Sequence, residues 1–214
     1  MSRMMFNRSV NGVLGFALSF WLVAVAGFLT AEANAATSTL DNLQAAFNGE
    51  SNARAKYLAF AKKADTEGYT QVASLFRAAA RAEEIHANAH AKVIQSMGGT
   101  PKADIQEPEV KLTKENLAVA IAGESYERDT MYPEFIKQAK ADENVSATRT
   151  FMLAKTAEAE HAKLYKQALD NLEQWKGGTK DFYVCTVCGY TMPTPPSARC
   201  VGCGEPKSKY VKVV

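Results

Sequence analysis

Between residues 39 and 175 the apolar positions recur at alternating steps of three and four, the spacing of one face of an α-helix. Four segments carry this pattern, at 39–65, 69–97, 114–141 and 145–175. They are rich in Ala, Glu, Lys, Leu and Gln, which lose little freedom in a helix. "GYT" (68–70) and "DEN" (142–144) are short breaks, as expected between antiparallel neighbours. "GGTPKADIQEPEVKLT" (98–113) is a longer crossover, with Thr113 the expected N-cap of the third helix. Pro133 falls inside that helix and predicts a kink there.

Each stripe is apolar at its ends and polar in its middle. The first reads Leu43, Phe47, Glu50, Tyr57, Ala61, and the second Val72, Phe76, Ala79, Glu83, His86, His90, Val93, Met97. The third reads Leu117, Ala120, Glu124, Glu127, Met131, and the fourth Phe151, Ala154, Glu158, His161, Tyr165, Ala168, Leu172. The polar positions also repeat along the chain. Glu83 to Glu158, His86 to His161 and Tyr57 to Tyr132 are each 75 positions apart, and Glu50 to Glu124 is 74. Two helical hairpins therefore present matching groups about one central point.

A lone buried carboxylate is strongly unfavourable. Here five Glu converge, and Arg54, close to the first stripe, is one cation against five anions. A pair of divalent metal ions resolves this, since four carboxylates match the charge of two ferrous ions. Glu-x-x-His sets both side chains one turn apart on one face. Two such pairs, Glu83/His86 and Glu158/His161, with Glu50 and Glu124 from the other two helices, match the di-iron pattern of carboxylate bundles. Mixed oxygen and imidazole donors suit iron or manganese better than copper. His90 shares the stripe but has no repeat mate, because position 165 is Tyr. It reads as a buried neighbour of the ligands rather than a ligand. Tyr57 and Tyr132 read either as core aromatics with satisfied hydroxyls or as proton donors beside the metal.

The two ends of the chain have a different texture. Residues 1–35 begin with Arg3 and Arg8, continue uncharged from Ser9 to Ala31, and end in Ala33-Asn34-Ala35. This is the pattern of a secretory leader cut after Ala35, which predicts an exported, periplasmic protein. The uncharged run is also long enough to span a bilayer, so an uncleaved membrane anchor is the alternative. At the other end, "KGGTKD" is a joint leading into residues 180–214, which hold all four Cys. Cys185-x-x-Cys188 and Cys200-x-x-Cys203 form two knuckles, each followed by Gly, in a segment too short to stand on an apolar core alone. That spacing is a tetrahedral Cys₄ metal signature for one iron, with zinc possible on spacing alone. Two disulfides are the alternative for an exported chain. A net charge of +2 leaves no electrostatic footprint for nucleic acid.

Taken together, "GESNARAKY", "AEEIHA", "GESYERDTMYPEF", "AEAEHAKLY" and "CTVCGY…CVGCGE" resemble the rubrerythrin family over residues 38–214. The resemblance implies a mainly α protein, with a ferritin-like four-helix bundle (36–176) followed by a small rubredoxin-like domain (180–214). It implies that Glu50 and Glu124 are terminal ligands, that Glu83 and Glu158 bridge two irons, and that His161 binds one of them. The other iron would exchange Glu127 for His86 on reduction. The implied activity is reduction of hydrogen peroxide to water in oxidative stress defence. Its electrons would come from an unidentified donor through the Cys₄ iron, with His86, Glu127, Tyr57 and Tyr132 taking part. A homodimer is also implied, in which the Cys₄ iron of one subunit lies near the di-iron site of the other. Competing readings are a ferroxidase using O₂ and a non-catalytic electron carrier. Two features depart from the family pattern. "CVGC" lacks the Pro that rubredoxins usually carry after the Cys, and most family members have no leader.

Overall fold

The computed structural model describes residues 37–214. The expected leader, with its cleavage site or anchor, lies outside the described residues. Helix α1 spans Thr39–Thr66 and α2 spans Thr70–Ser96. Helices α3 (Thr113–Tyr126) and α4 (Tyr132–Ala141) are joined by a π-helical turn at Glu127–Met131, and α5 covers Val145–Asp170. Helix α1 packs chiefly on α2, and α3 and α4 pack on α5, with α2 against α5 joining the two hairpins.

Local chemistry sets the helix ends. Ser38 caps α1, its hydroxyl accepting the Asp41 N–H at 3.1 Å while the Asp41 carboxylate accepts the Ser38 N–H at 3.2 Å. Asn144 caps α5 by accepting the Ala147 N–H at 2.9 Å. Thr113 is not the cap of α3; it is the first helical residue, and Leu112 holds the N-cap position. The Glu115 carboxylate accepts the Leu112 N–H at 3.1 Å, and Glu67 reaches across from the end of α1 to accept the Thr113 N–H at 2.8 Å. A carboxylate from outside the helix therefore does what the Thr hydroxyl was expected to do. The crossover is strapped along α1 by amides one turn apart. Asn48 and Asn52 accept the N–H groups of Asp104 and Gln106, each at 2.8 Å, and Gln44 donates to the Thr100 carbonyl at 2.6 Å.

Pro133 does not simply kink its helix. Its ring would collide with the carbonyl one turn back, and it offers no N–H. The chain widens instead into the π turn just before it. The fourth predicted segment is also shorter than expected. It leaves the α-helix at Asp170 and closes with a 3₁₀ turn, Leu172–Trp175.

The C-terminal module is a three-stranded antiparallel sheet in the order β2-β1-β3, with β1 at Phe182–Cys185, β2 at Thr191–Met192 and β3 at Tyr210–Val213. It is not an appendage on a loose joint. The Gly177 N–H donates to the Gly68 carbonyl at 3.0 Å, and Gln71 donates to the Gly177 carbonyl at 3.1 Å. Trp175 and Phe182 stack, their ring centroids 6.4 Å apart, and with Val184 they join the apolar cluster of Tyr57, Phe60, Phe76 and Tyr165. A second cluster, around Leu43, Ile94, Tyr132 and Phe151, fills the other end of the bundle. The polar middles of the four stripes lie between the two clusters.

If module and bundle share one core, Phe182→Ala should weaken the whole chain. The side chain is fully buried, so the expected loss is about 3 kcal/mol, read in one cooperative denaturant transition. Two separate transitions, with the bundle's unchanged, would contradict this.

Candidate metal centre

Helical phase brings six predicted residues to one place. Glu50 comes from α1, Glu83 and His86 from α2, Glu124 from α3, and Glu158 and His161 from α5. The four carboxylates are fully buried, His161 is fully buried and His86 nearly so. Their donor atoms form two groups. Glu50, Glu83, His86 and Glu158 make one, and Glu83, Glu124, Glu158 and His161 make the other, with atoms within 4.8 Å of one another in each. Glu83 and Glu158 belong to both, as the expected bridging role requires.

The fit to metal rests on what these groups lack. Glu50 Oε2, Glu83 Oε1, Glu124 Oε2, both Glu158 oxygens and His161 Nδ1 are buried without a hydrogen-bond partner. Buried acceptors are rarely left so in a stable fold. Among the described residues no Lys or Arg pairs with these four Glu; their only ion-pair partners are histidines. Arg54 turns outward and pairs with Glu84 at 3.7 Å. Four converging anions with orphaned oxygens, and two imidazoles presenting Nδ1, form a donor set for two hard-to-intermediate divalent ions.

Two tyrosines close the ring crosswise. Tyr57 of α1 donates to Glu124 Oε1 of α3 at 2.6 Å. Tyr132, the first residue of α4, donates to Glu50 Oε1 of α1. Burial pushes both phenols well above their ordinary pKa, with the neighbouring carboxylates adding to it. His90 is fully buried but stands behind the ligands. Its Nε2 lies 3.2 Å from the Tyr132 hydroxyl and its Nδ1 3.2 Å from Thr150 Oγ1. The π turn begins at Glu127, which is half-buried and belongs to neither ligand group. The arrangement is the one with His86 among the ligands and Glu127 outside them.

In the metal-free chain, desolvation dominates the protonation of the cluster. Burial, then the charges of Glu158, Glu124 and Glu50, push Glu83 well above the carboxylate range. Burial and Glu158 bring Glu124 up to about 7, and burial also raises Glu127. For Glu158 burial is outweighed by His86 and His161, which hold it low. The same contacts raise both of those imidazoles despite their burial.

The four Cys also come together, all within 4.8 Å. Cys185 and Cys203 are 3.7 Å apart, and Cys188 and Cys200 3.6 Å, so none forms a disulfide. A tetrahedron around a metal with bonds of about 2.3 Å has edges of about 3.8 Å. In each knuckle the Gly closes a turn at positive φ, 73° for Gly189 and 77° for Gly204, donating to the Cys185 and Cys200 carbonyls at 2.9 and 2.8 Å. A hydrogen bond from the Cys188 thiol, and behind it the N–H groups of Val187 and Cys188, bring Cys185 down to about 5. Tyr210 donates to Cys200 Sγ at 3.0 Å.

The chain's own knuckle lies against its own carboxylate cluster. His86 Nε2 is 3.0 Å from the Cys188 carbonyl. His161 Nε2 is 3.1 Å from the Thr191 hydroxyl, which itself donates to the Gly189 carbonyl at 3.0 Å. A carbonyl only accepts, so His86 keeps a proton on Nε2 and turns Nδ1, the nitrogen a metal would take, inward; Thr191 orients His161 in the same way. Within one chain, the docked joint thus sets the Cys₄ module beside the carboxylate cluster. Thr191 was not among the expected site residues, and nothing in its sequence context marks it.

The family model for rubrerythrin matches residues 41–169. Nigerythrin from Nitratidesulfovibrio vulgaris is 38% identical over 174 residues, covering 81% of this chain and 85% of that protein. Rubrerythrin-2 from Clostridium acetobutylicum is 34% identical over 181 residues, covering 80% and 95%. The solved structure of the partially reduced state of nigerythrin aligns with a TM-score of 0.76 at 33% identity, over 93% of this chain and all of that one. A Desulfovibrio desulfuricans bacterioferritin, at 20% identity and TM-score 0.59 over 64% of this chain and 80% of that one, shares the fold.

The protonation pattern has a measurable sign. Without metal, the fold keeps protons on Glu83, Glu124 and Glu127 above about pH 4.3, and on His86 and His161 above about pH 6.5, where the unfolded chain has lost them. The folded state then binds more protons, so its stability falls as pH rises. His90, lowered by burial, and Cys185, brought down to about 5, oppose this with one group each against five, and the lowered Glu158 acts only below about pH 4.3. Metal-free protein should therefore melt lower at pH 8 than at pH 5.5. Iron-loaded protein should lose or reverse that trend, because metal takes the place of the protons. A metal-free form that melts higher at pH 8 would contradict the assignment.

Proposed function

The chain belongs to the rubrerythrin family, and on that footing we propose that it is a peroxidase reducing hydrogen peroxide to water with electrons from its own Cys₄ centre. The family and its di-iron and Cys₄ iron sites are the premise, and the peroxide chemistry is our reading. The carrying observation is His86. One nitrogen faces the carboxylate cluster and the other is bonded to the carbonyl of Cys188, whose sulfur belongs to the Cys₄ site. A single imidazole thus joins the two centres. A ferroxidase takes electrons from its own substrate and has no use for such a link.

Peroxide reduction consumes two electrons and two protons and yields two waters. Glu50, Glu83, His86, Glu124, Glu158 and His161 would hold two irons, which would supply electrons and Lewis acidity for this chemistry. The chain's residues do the rest. Glu83 and Glu158 hold the pair together. The hydroxyls of Tyr57 and Tyr132 point into the cluster from opposite sides and orient an oxygen ligand or lend it a proton. The two apolar clusters exclude bulk water. Glu127, at the head of the π turn, is our candidate for a residue that would take the place of His86 among the ligands, as the family pattern implies. In this reading a homodimer holds two complete relays. The leader exports the protein, and its donor reaches the second knuckle, where Val201 is exposed.

Stopped-flow mixing of fully reduced protein with peroxide and, separately, with O₂ tests the reading. Faster oxidation by peroxide is expected, and much faster oxidation by O₂ would reject it in favour of a ferroxidase. Gly189→Ala tests the link. A Cβ there would overlap His86 Nε2, at a φ that side chains avoid. The variant should keep its Fe(Cys)₄ absorption yet pass electrons to the carboxylate site more slowly. An unchanged rate would remove His86 from the path.

A further inference from the structure

The two halves of the bundle repeat, but the surroundings of their tyrosines do not. On one side Tyr57 donates to Glu124, and the next side chain behind it is Tyr165. The Tyr165 hydroxyl is buried with no partner, and Leu75 is fully buried on the same side. That side ends in a dry wall. On the other side the residues at the repeat positions are His90 in place of Tyr165 and Thr150 in place of Leu75. There a chain of polar atoms continues outward from Glu50 Oε1 through the Tyr132 hydroxyl, His90 Nε2, His90 Nδ1 and Thr150 Oγ1.

The hydrogen bonds of this chain have one direction. A ligand carboxylate accepts, so Tyr132 donates to Glu50. Its oxygen then accepts from His90 Nε2–H, and the bare Nδ1 accepts the Thr150 hydroxyl. Every donor points inward. Thr150 is 7% exposed, and it lies in the wall of a groove of about 540 Å³ between α2, α5 and the first knuckle, with Arg149, Lys92, Thr186 and Val187.

We propose that Thr150, His90 and Tyr132 form a one-sided proton inlet from this groove to the Glu50 end of the metal centre. The inference rests on the peroxidase reading, whose demand for protons it meets. One passage moves one proton at each link. Water protonates Thr150, the Thr150 proton goes to His90 Nδ1, the Nε2 proton to Tyr132, and the Tyr132 proton to the Glu50 side. No electron moves along this path. Rotation of the two hydroxyls and return of the imidazole tautomer reset it. His90 is thus a relay acting through Tyr132, which accounts for a buried imidazole outside both ligand groups.

Two measurements test it. The first needs no turnover. Histidine ¹⁵N spectra of the metal-free protein should show His90 as the Nε2–H tautomer, with its Nδ1 resonance moved by Thr150→Val. An Nδ1–H tautomer would overturn the path whatever the enzyme's substrate. The second is stopped-flow oxidation of the iron-loaded protein by peroxide in H₂O and D₂O. Thr150→Val removes one hydroxyl at constant shape, and His90→Gln keeps polarity without tautomer exchange. Both should retain the parent's iron content, react about tenfold or more slowly and show a larger solvent isotope effect. Tyr165→Phe, on the closed side, should behave like the parent. Equal rates in Thr150→Val and the parent, or equal slowing in Tyr165→Phe, would overturn the inlet. A parent inert to peroxide would instead reject the peroxidase reading, leaving the tautomer measurement to judge the path.

Discussion

Four carboxylates held out of water with no Lys or Arg to answer them are the constraint on which this fold turns. Left bare, they would protonate or pull the helices apart. With two divalent ions between them they become the strongest cross-link in the bundle, tying all four helical segments at one point. The apolar ends of the stripes position that point, and their ring-against-ring packing keeps it dry. The crosswise tyrosines and the capped imidazoles satisfy what the metals do not.

Most of this centre was legible in the sequence because a helix converts spacing into direction. Glu83/His86 and Glu158/His161, read with Glu50 and Glu124 at the matching repeat positions, specify a cluster before any coordinates are seen. The knuckles were legible for a similar reason, since Cys-x-x-Cys-Gly is a local geometry. The failures were mostly matters of tertiary contact. Thr113 lost the cap to Glu67, which is distant in sequence. Pro133 announced a disturbance but not that it would be a π turn, because ring clash can be relieved in more than one way. The docking of the Cys₄ module depends on Gly68 and Gly177 meeting, and neither residue advertises that.

The repeat is informative both where it holds and where it breaks. Ligand positions tolerate no difference between halves, so Glu and His recur. Behind the ligands the two halves are free to diverge, and there Tyr165 and Leu75 hold the positions that His90 and Thr150 hold in the other half. Divergence confined to the layer behind a symmetric metal pair gives the two ends of that pair different neighbours. A symmetric scaffold can then send electrons, protons and oxidant along different routes without changing a single ligand.

The module is bonded to the outer nitrogens of both ligand imidazoles and wedged by Trp175 and Phe182 into the core. It is therefore a lid as well as a redox partner. Once it is seated, both imidazoles are closed off from solvent on that side. One small module thereby shields the imidazole side of the carboxylate site and carries the thiolate site as well.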